Sequence, residues 1–324
     1  MRSAAQKYTI LFYNILAAVL MVLSAFNAYS QELFPSTEPA STLPKKTISV
    51  RFGATSYQEP LGRAKYSTML RAMYGATKKI TVMMSAGGSN HHLKQFPGSL
   101  IQYFRLHHTR QYPAFPFLFD GVHAYVKWRI ISQDMDKRHF RVALYGEGSR
   151  SFNVHDVAEP NLLEDNSGWG GGVITTMLLN RWAVSFTGGF VQPSRYKDSV
   201  AAMDYGRALM YNLSLGYRLF PVKYNSYQDV NINFYLEFLG KSYREASLAF
   251  RGNDFPIQYF LPEDPLTYNS LKNNSYVEVR PALQCIFNSS TRVDVGVALR
   301  VSSRSYAYYY PLFFINIQKY FFSH

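Results

Sequence analysis

Leu209-Met210-Tyr211-Asn212-Leu213-Ser214-Leu215-Gly216-Tyr217-Arg218-Leu219 decides the fold. Every second residue from Leu209 to Leu219 is leucine or tyrosine, and most of those between are polar or small. Successive side chains of a strand point to opposite faces, so this pattern predicts a strand with one apolar and one polar face. The same alternation recurs elsewhere. Val293, Val295, Val297, Leu299 and Val301 alternate with Asp294, Gly296, Ala298, Arg300 and Ser302. Val230 to Phe238 and Val122 to Ile130 repeat it. No long stretch has helical periodicity.

Reading outward, the strands fall near 47–57, 64–74, 79–88, 121–131, 140–150, 169–179, 181–191, 207–219, 229–241, 275–287, 292–304 and 311–322. Tight connections such as Gly75-Ala76-Thr77-Lys78 and Asn288-Ser289-Ser290-Thr291 alternate with long ones, near 89–119, 152–167, 192–205 and 242–273. About twelve strands of roughly 10 residues, joined by short turns on one side and long loops on the other, predict a closed antiparallel up-and-down transmembrane β-barrel. A secreted β-sandwich would also alternate, but its strands are usually about 5–6 residues long. The last strand ends Tyr320-Phe321-Phe322, which suits pairing with the first strand and an interfacial aromatic girdle. Tyr306 to Tyr310 is expected in the opposite girdle.

The chain has 324 residues, of which 47% are hydrophobic, 17% charged and 16% aromatic, with a formal charge of +13. So many aromatics and so few charges exclude intrinsic disorder. The single cysteine, Cys285, excludes a disulfide-built scaffold. It shares the predicted lipid face with Val277, Val279, Leu283 and Phe287, so no catalytic role is assigned to it. Residues 1–30 carry Arg2 and Lys7, an apolar run from Thr9 to Phe26, and Ala28-Tyr29-Ser30. They predict a secretory signal peptide; an uncleaved anchor helix is the alternative. Residues 31–46, rich in Pro, Ser and Thr, are expected to form a flexible lead, with the barrel spanning 47–324.

If the apolar faces meet lipid, the lumen receives the ionisable residues of the opposite face. These are Arg51, Lys65, Arg71, Lys127, Arg129, Arg141, Arg218, Lys241, Arg280 and Arg300, against Glu147, Glu237, Glu278 and Asp294. Two roles fit: a charge network that fills and stiffens the lumen, or a narrow path whose excess of Arg and Lys favours anions. The expected environment is outer-membrane lipid and lipopolysaccharide. The unidentified passenger is a small solute, and an exported basic protein has no nucleic-acid partner. No cofactor is indicated. His91, His92, His107 and His108 in the longest loop include no fixed ligand spacing, so solvated histidines are the preferred reading over a metal site. Aromatics from Phe96 to Phe119 in that loop, and Phe255 to Pro262 in another, suit rim packing or contact with an apolar solute. Ser89-Asn90-His91 has no surrounding triad context, so a lipid hydrolase is the least favoured function. Gly170-Gly171-Gly172 precedes no helix and is not a phosphate loop. A non-conducting barrel whose loops bind a partner is the main alternative to solute passage.

The aromatic last strand resembles those taken up by the barrel-assembly machinery, although Ser323 and His324 follow it here. The hairpin Tyr74-Gly75-Ala76-Thr77-Lys78-Lys79-Ile80-Thr81 is similar to the Tyr-Gly-x-Thr-Asp-x-Leu-Thr turn of outer-membrane transporters grouped under the meta-pathway of phenol degradation. Lys78 stands where that family has Asp. The match spans eight residues, and implies the barrel architecture more than a substrate.

Overall fold

A computed structural model describes residues 33–59, 64–91, 116–153, 155, 157–199, 201–223, 229–250, 253–255, 271–303 and 305–322. The strands are β1 Ile48–Gln58, β2 Ala64–Gly75, β3 Ile80–Ser89, β4 Leu118–Met135, β5 Arg138–Ser151, β6 Gly168–Leu179, β7 Trp182–Pro193, β8 Tyr196–Lys197, β9 Ala201–Asp204, β10 Ala208–Phe220, β11 Asn231–Tyr243, β12 Ser247–Phe250, β13 Asn253–Phe255, β14 Asn274–Phe287, β15 Thr291–Ser302 and β16 Leu312–Phe321. Twelve of them close into an antiparallel barrel in which β1 pairs with both β2 and β16. Closure leaves no free sheet edge, so every strand finds its backbone partners within the ring. Each of the twelve predicted strands has its counterpart, including the glycine-rich β6. The other four, β8, β9, β12 and β13, form a small sheet between loops.

The two faces differ as the alternation requires. Phe52, Leu70, Trp128, Trp169, Phe186, Leu213, Val295 and Phe313 are among the apolar side chains exposed on the outside. Ser49, Ser85, Thr176, Ser214, Gln284 and Asn316 are buried on the inside. An exposed apolar belt of this extent around a closed barrel is a lipid-facing surface, and the barrel spans a membrane.

Glycines set the close approach of neighbouring strands. Gly216 lies opposite Tyr235 and Gly240 opposite Tyr211. Gly172 lies opposite Tyr145 and Gly296 opposite Phe314. A Cβ at Gly216 would stand 2.4 Å from the Tyr235 ring, and one at Gly240 1.9 Å from that of Tyr211. The ring on one strand occupies the space that glycine leaves on the next. The Gly170-Gly171-Gly172 run is part of this packing.

Two sequence expectations about the ends need correction. The segment expected as a flexible lead is, from Leu33 to Lys46, folded into the turn side of the lumen. Its Pro and Thr residues form no strand or helix of their own, so local propensity gave no sign of the order the lumen imposes. The terminal aromatics also do not all meet lipid. Tyr320 is buried inside beside Met73 and Met83, and Tyr308 and Tyr310 turn inward against Tyr57 and Phe314.

Candidate functional site

Two segments of the chain cross the barrel interior and bound a chamber between them. On the turn side the floor is the segment from Leu33 to Lys46. Phe34 packs edge-on against Tyr235, with ring centroids 5.4 Å apart. Its carbonyl accepts from Arg292 at 2.8 Å, and the Pro35 carbonyl accepts from Arg51. Glu237, fully buried on β11, accepts the amides of Ser36 (2.8 Å) and Thr37 (3.0 Å) and the Thr37 hydroxyl (2.8 Å). Glu38 bridges Arg71 at 2.9 Å and Lys127 at 3.1 Å. The Ala40 amide donates to Thr176, and the Leu43 amide to Thr81. The segment then leaves by the turn-side end of β2, where Lys46 donates to the Gly75 carbonyl. Buried charges are tolerable only when paired and hydrogen-bonded, and this segment supplies partners to four lumen cations, Arg51, Arg71, Lys127 and Arg292.

On the loop side the roof is the β5–β6 connection. Ala158 and Leu162 join a core with Val191, Met203, Leu248 and Tyr276. Glu159 is fully buried. It accepts from Lys241 at 3.0 Å, Tyr276 at 2.6 Å, Ser305 at 2.8 Å and the Tyr306 amide at 3.1 Å. Burial pushes its pKa up, but Lys241 and the surrounding donors outweigh this and hold it below the usual carboxylate range. Glu164 accepts from Ser67 (2.7 Å) and Tyr308 (2.8 Å). Burial first, and the neighbouring Asp165 second, raise it to about 7.

Between floor and roof lie two adjoining compartments of about 280 and 260 Å³. Ser36, Arg71, Asn161, Leu163, Met210, Asn212 and Lys241 line both. Four cations, Arg51, Arg71, Lys241 and Arg280, face two carboxylates, Glu164 and Glu278, in the larger one. Its remaining wall includes Met69, Leu239, Leu312 and Phe314. The smaller one adds the stacked pair Tyr125 and Tyr145 and the His123–Glu147 contact at 2.9 Å.

Of the residues expected in the lumen, Arg51, Lys65, Arg71, Lys127, Glu147, Lys241, Glu237, Glu278, Arg280 and Asp294 are buried or half-buried on the barrel interior. Arg280 pairs with Glu278 at 2.6 Å. Arg129, Arg141 and Arg218 sit at the turn-side end, where Arg129 donates to the Lys78 carbonyl and Arg141 meets Asp134 at 3.0 Å. Arg218 lines a separate turn-side hollow of about 330 Å³. Arg300 is exposed near the loop-side end of β15. Arg292 was not among the expected residues, although it shares the face of Asp294. It is buried and pairs with that carboxylate at 2.7 Å. Glu38, Glu159 and Glu164 belong to segments without alternation, so no parity argument reaches them.

Ser89 donates to Asp120 at 2.9 Å, and the His91 ring packs edge-on against Tyr57 and Tyr308. His92, His107 and His108, with the aromatics from Phe96 to Phe115 and the stretch from Pro256 to Pro262, lie outside the described residues. Among the described residues no group of three or more His, Cys, Asp or Glu side chains is arranged to hold a metal ion.

At the level of sequence, no protein-family model and no curated protein matches the chain. In fold it is similar to the COG4313 outer membrane channel from Pseudomonas putida F1, with TM-score 0.54 and 11% identity over 90% of this chain and 100% of that one. It is also similar to the NanC porin (TM-score 0.45, 12% identity, 86% of this chain and 100% of that one). LpxR from Salmonella typhimurium follows at TM-score 0.38 and 8% identity, over 85% of this chain and 100% of that one. At such identities the likeness is one of architecture, and the architecture is that of an outer-membrane β-barrel.

Proposed function

We propose that this protein passes small solutes across the outer membrane, with the chamber as a waiting compartment between two internal barriers. The observation that carries this reading is the chamber itself: a hollow of mixed charged and apolar lining inside a lipid-facing barrel, bounded by two chain segments as well as by the strands. Arg51, Arg71, Lys241 and Arg280 line its larger compartment, each also holding a carboxylate (Asp294, Glu38, Glu159 and Glu278), and their remaining N–H donors support a preference for anions. The apolar wall of Met69, Leu239, Leu312 and Phe314 suits a solute that also carries a hydrocarbon part. Residues 1–30 act in this reading as the export signal, and the turn from Tyr74 to Thr81 supports kinship with the meta-pathway transporters. The function is transport, not catalysis.

One observation favours the second reading, a non-conducting barrel. The floor is tied by ion pairs and hydrogen bonds, and a static floor would make the lumen a filled scaffold. Planar-bilayer recording separates the two. Under a KCl gradient the purified protein is expected to give small, resolved steps with a reversal potential on the chloride side. A potential on the potassium side would remove the anion preference, and silence at all voltages would leave the scaffold.

A further inference from the structure

The roof is held by two latches of different chemistry. At the first, Glu159 meets a counter-charge, Lys241, and three further donors. At the second, Glu164 meets only hydroxyls, those of Ser67 and Tyr308, while its nearest charged neighbours are carboxylates: Asp165 beside it in sequence and Asp120 on β4. We infer that the β5–β6 segment is a lid which protons close, seated when the Glu164 latch is neutral and released when that latch carries charge. The inference rests on the reading of the chamber as a solute compartment and names what regulates access to it.

The groups around the latch oppose one another: burial, Asp165 and Asp120 disfavour its charge, and the hydroxyls of Ser67 and Tyr308 favour it. From the end of β1 come Tyr57 and Glu59; from β2 comes Lys65, held 3.5 Å from Glu59. His91, after β3, stacks edge-on against Tyr57 and Tyr308. Within the lid, His155 lies 3.9 Å from Asp165 and binds the Glu159 carbonyl at 2.7 Å. Because His155 also touches Asp165, the test isolates Glu164 by substitution.

Burial and the Asp165 charge hold Glu164 at about 7, whereas a carboxyl released into water titrates near its ordinary value of 4.5. The closed lid therefore binds the proton more tightly than the open one. Closure is fully favoured below the open-state value, and this contribution is lost as pH rises through about 7. Two like charges brought together in a buried site cannot both ionise without cost, which is the physical origin of the release.

The test uses the full chain in outer-membrane vesicles, with Cys285→Ser and a probe thiol at Asn212→Cys in the chamber. An impermeant methanethiosulfonate is added outside, and labelling is followed at pH 5 and pH 8 with and without Glu164→Gln. The ratio of the two rates cancels the thiol's own titration. It is expected near one at pH 5 and at least tenfold at pH 8, where only the parent lid is released. A ratio within twofold at both pH values overturns the inference. Should Glu164→Gln fail to reach the folded barrel, Asp165→Asn is expected to slow labelling at pH 8 in the same sense; no slowing overturns it equally. Labelling from the loop side needs no passage through the floor. A silent bilayer with a pH-dependent ratio would therefore sink the transport reading alone, and a conducting barrel with a flat ratio would sink the lid alone.

Discussion

At the residue scale, the floor has a seat that depends on one missing methyl. A Cβ at Gly75 would stand 1.9 Å from the Pro44 carbonyl oxygen and 2.8 Å from its carbon. Gly75 also accepts from Lys46 and donates to Thr47. Gly75→Ala is expected to lift the floor from the end of β2 and raise single-channel conductance severalfold while the barrel still folds. Gly146 has no atom within 4 Å of such a Cβ, so Gly146→Ala is expected to leave conductance unchanged and stability within about 0.5 kcal/mol. Arg292 offers a stability test. Arg292→Met leaves the buried Asp294 carboxylate with Gln284 and the more distant Arg51 alone and is expected to cost about 3 kcal/mol in urea unfolding, part of it recovered when Asp294→Asn is added. Much of this scale is legible in sequence, because period two assigns a face to Arg51, Lys127 or Asp294. Depth is not. Arg129 and Arg141 share the inward parity, but β4 and β5 run past the neighbouring turns to Met135 and Arg138, and these guanidiniums end at the rim; Arg218, near the turn-side end of β10, lines the turn-side hollow instead of the chamber.

At the element scale, the strands declare themselves and the two barriers do not. A strand's alternation is written by the two solvents it separates. The stretch from Leu33 to Lys46 and the β5–β6 connection do not separate two solvents as a barrel strand does, so neither carries a period. Their order comes from partners far away in the chain: Ser36 and Thr37 are fixed by Glu237, about 200 positions later. The four short strands of the outer sheet were missed for a related reason, since runs of two to four residues carry too little pattern to read. Glu237 gives the direct test of the floor. Glu237→Ala removes the acceptor of two amides and one hydroxyl, each bond worth about 1 kcal/mol net. Exchange at the Ser36 and Thr37 amides, followed by mass spectrometry, is expected to accelerate by at least tenfold while β-strand amides keep their protection. Unchanged protection at those two amides would mean that the floor is held by packing of Phe34 and Leu43 rather than by this carboxylate.

At the scale of the whole molecule, the barrel is a closed wall, and the proposed function places access in the two segments that fill it. The outward face needs only to be apolar, which is why the architecture could be read from alternation and turn spacing. The interior has to satisfy every charge it encloses, and the chain does so with its own N-terminal segment below and its β5–β6 segment above. Access to the chamber is then a matter of moving one segment or the other, with the strands in place. The most direct measurement is single-channel conductance of the full chain beside a variant lacking residues 33–45. The account predicts small chloride-favouring steps for the full chain and steps several times larger for the deletion, in a barrel that still migrates as folded before heating. Equal conductance in the two proteins, with the deleted barrel folded, would contradict it.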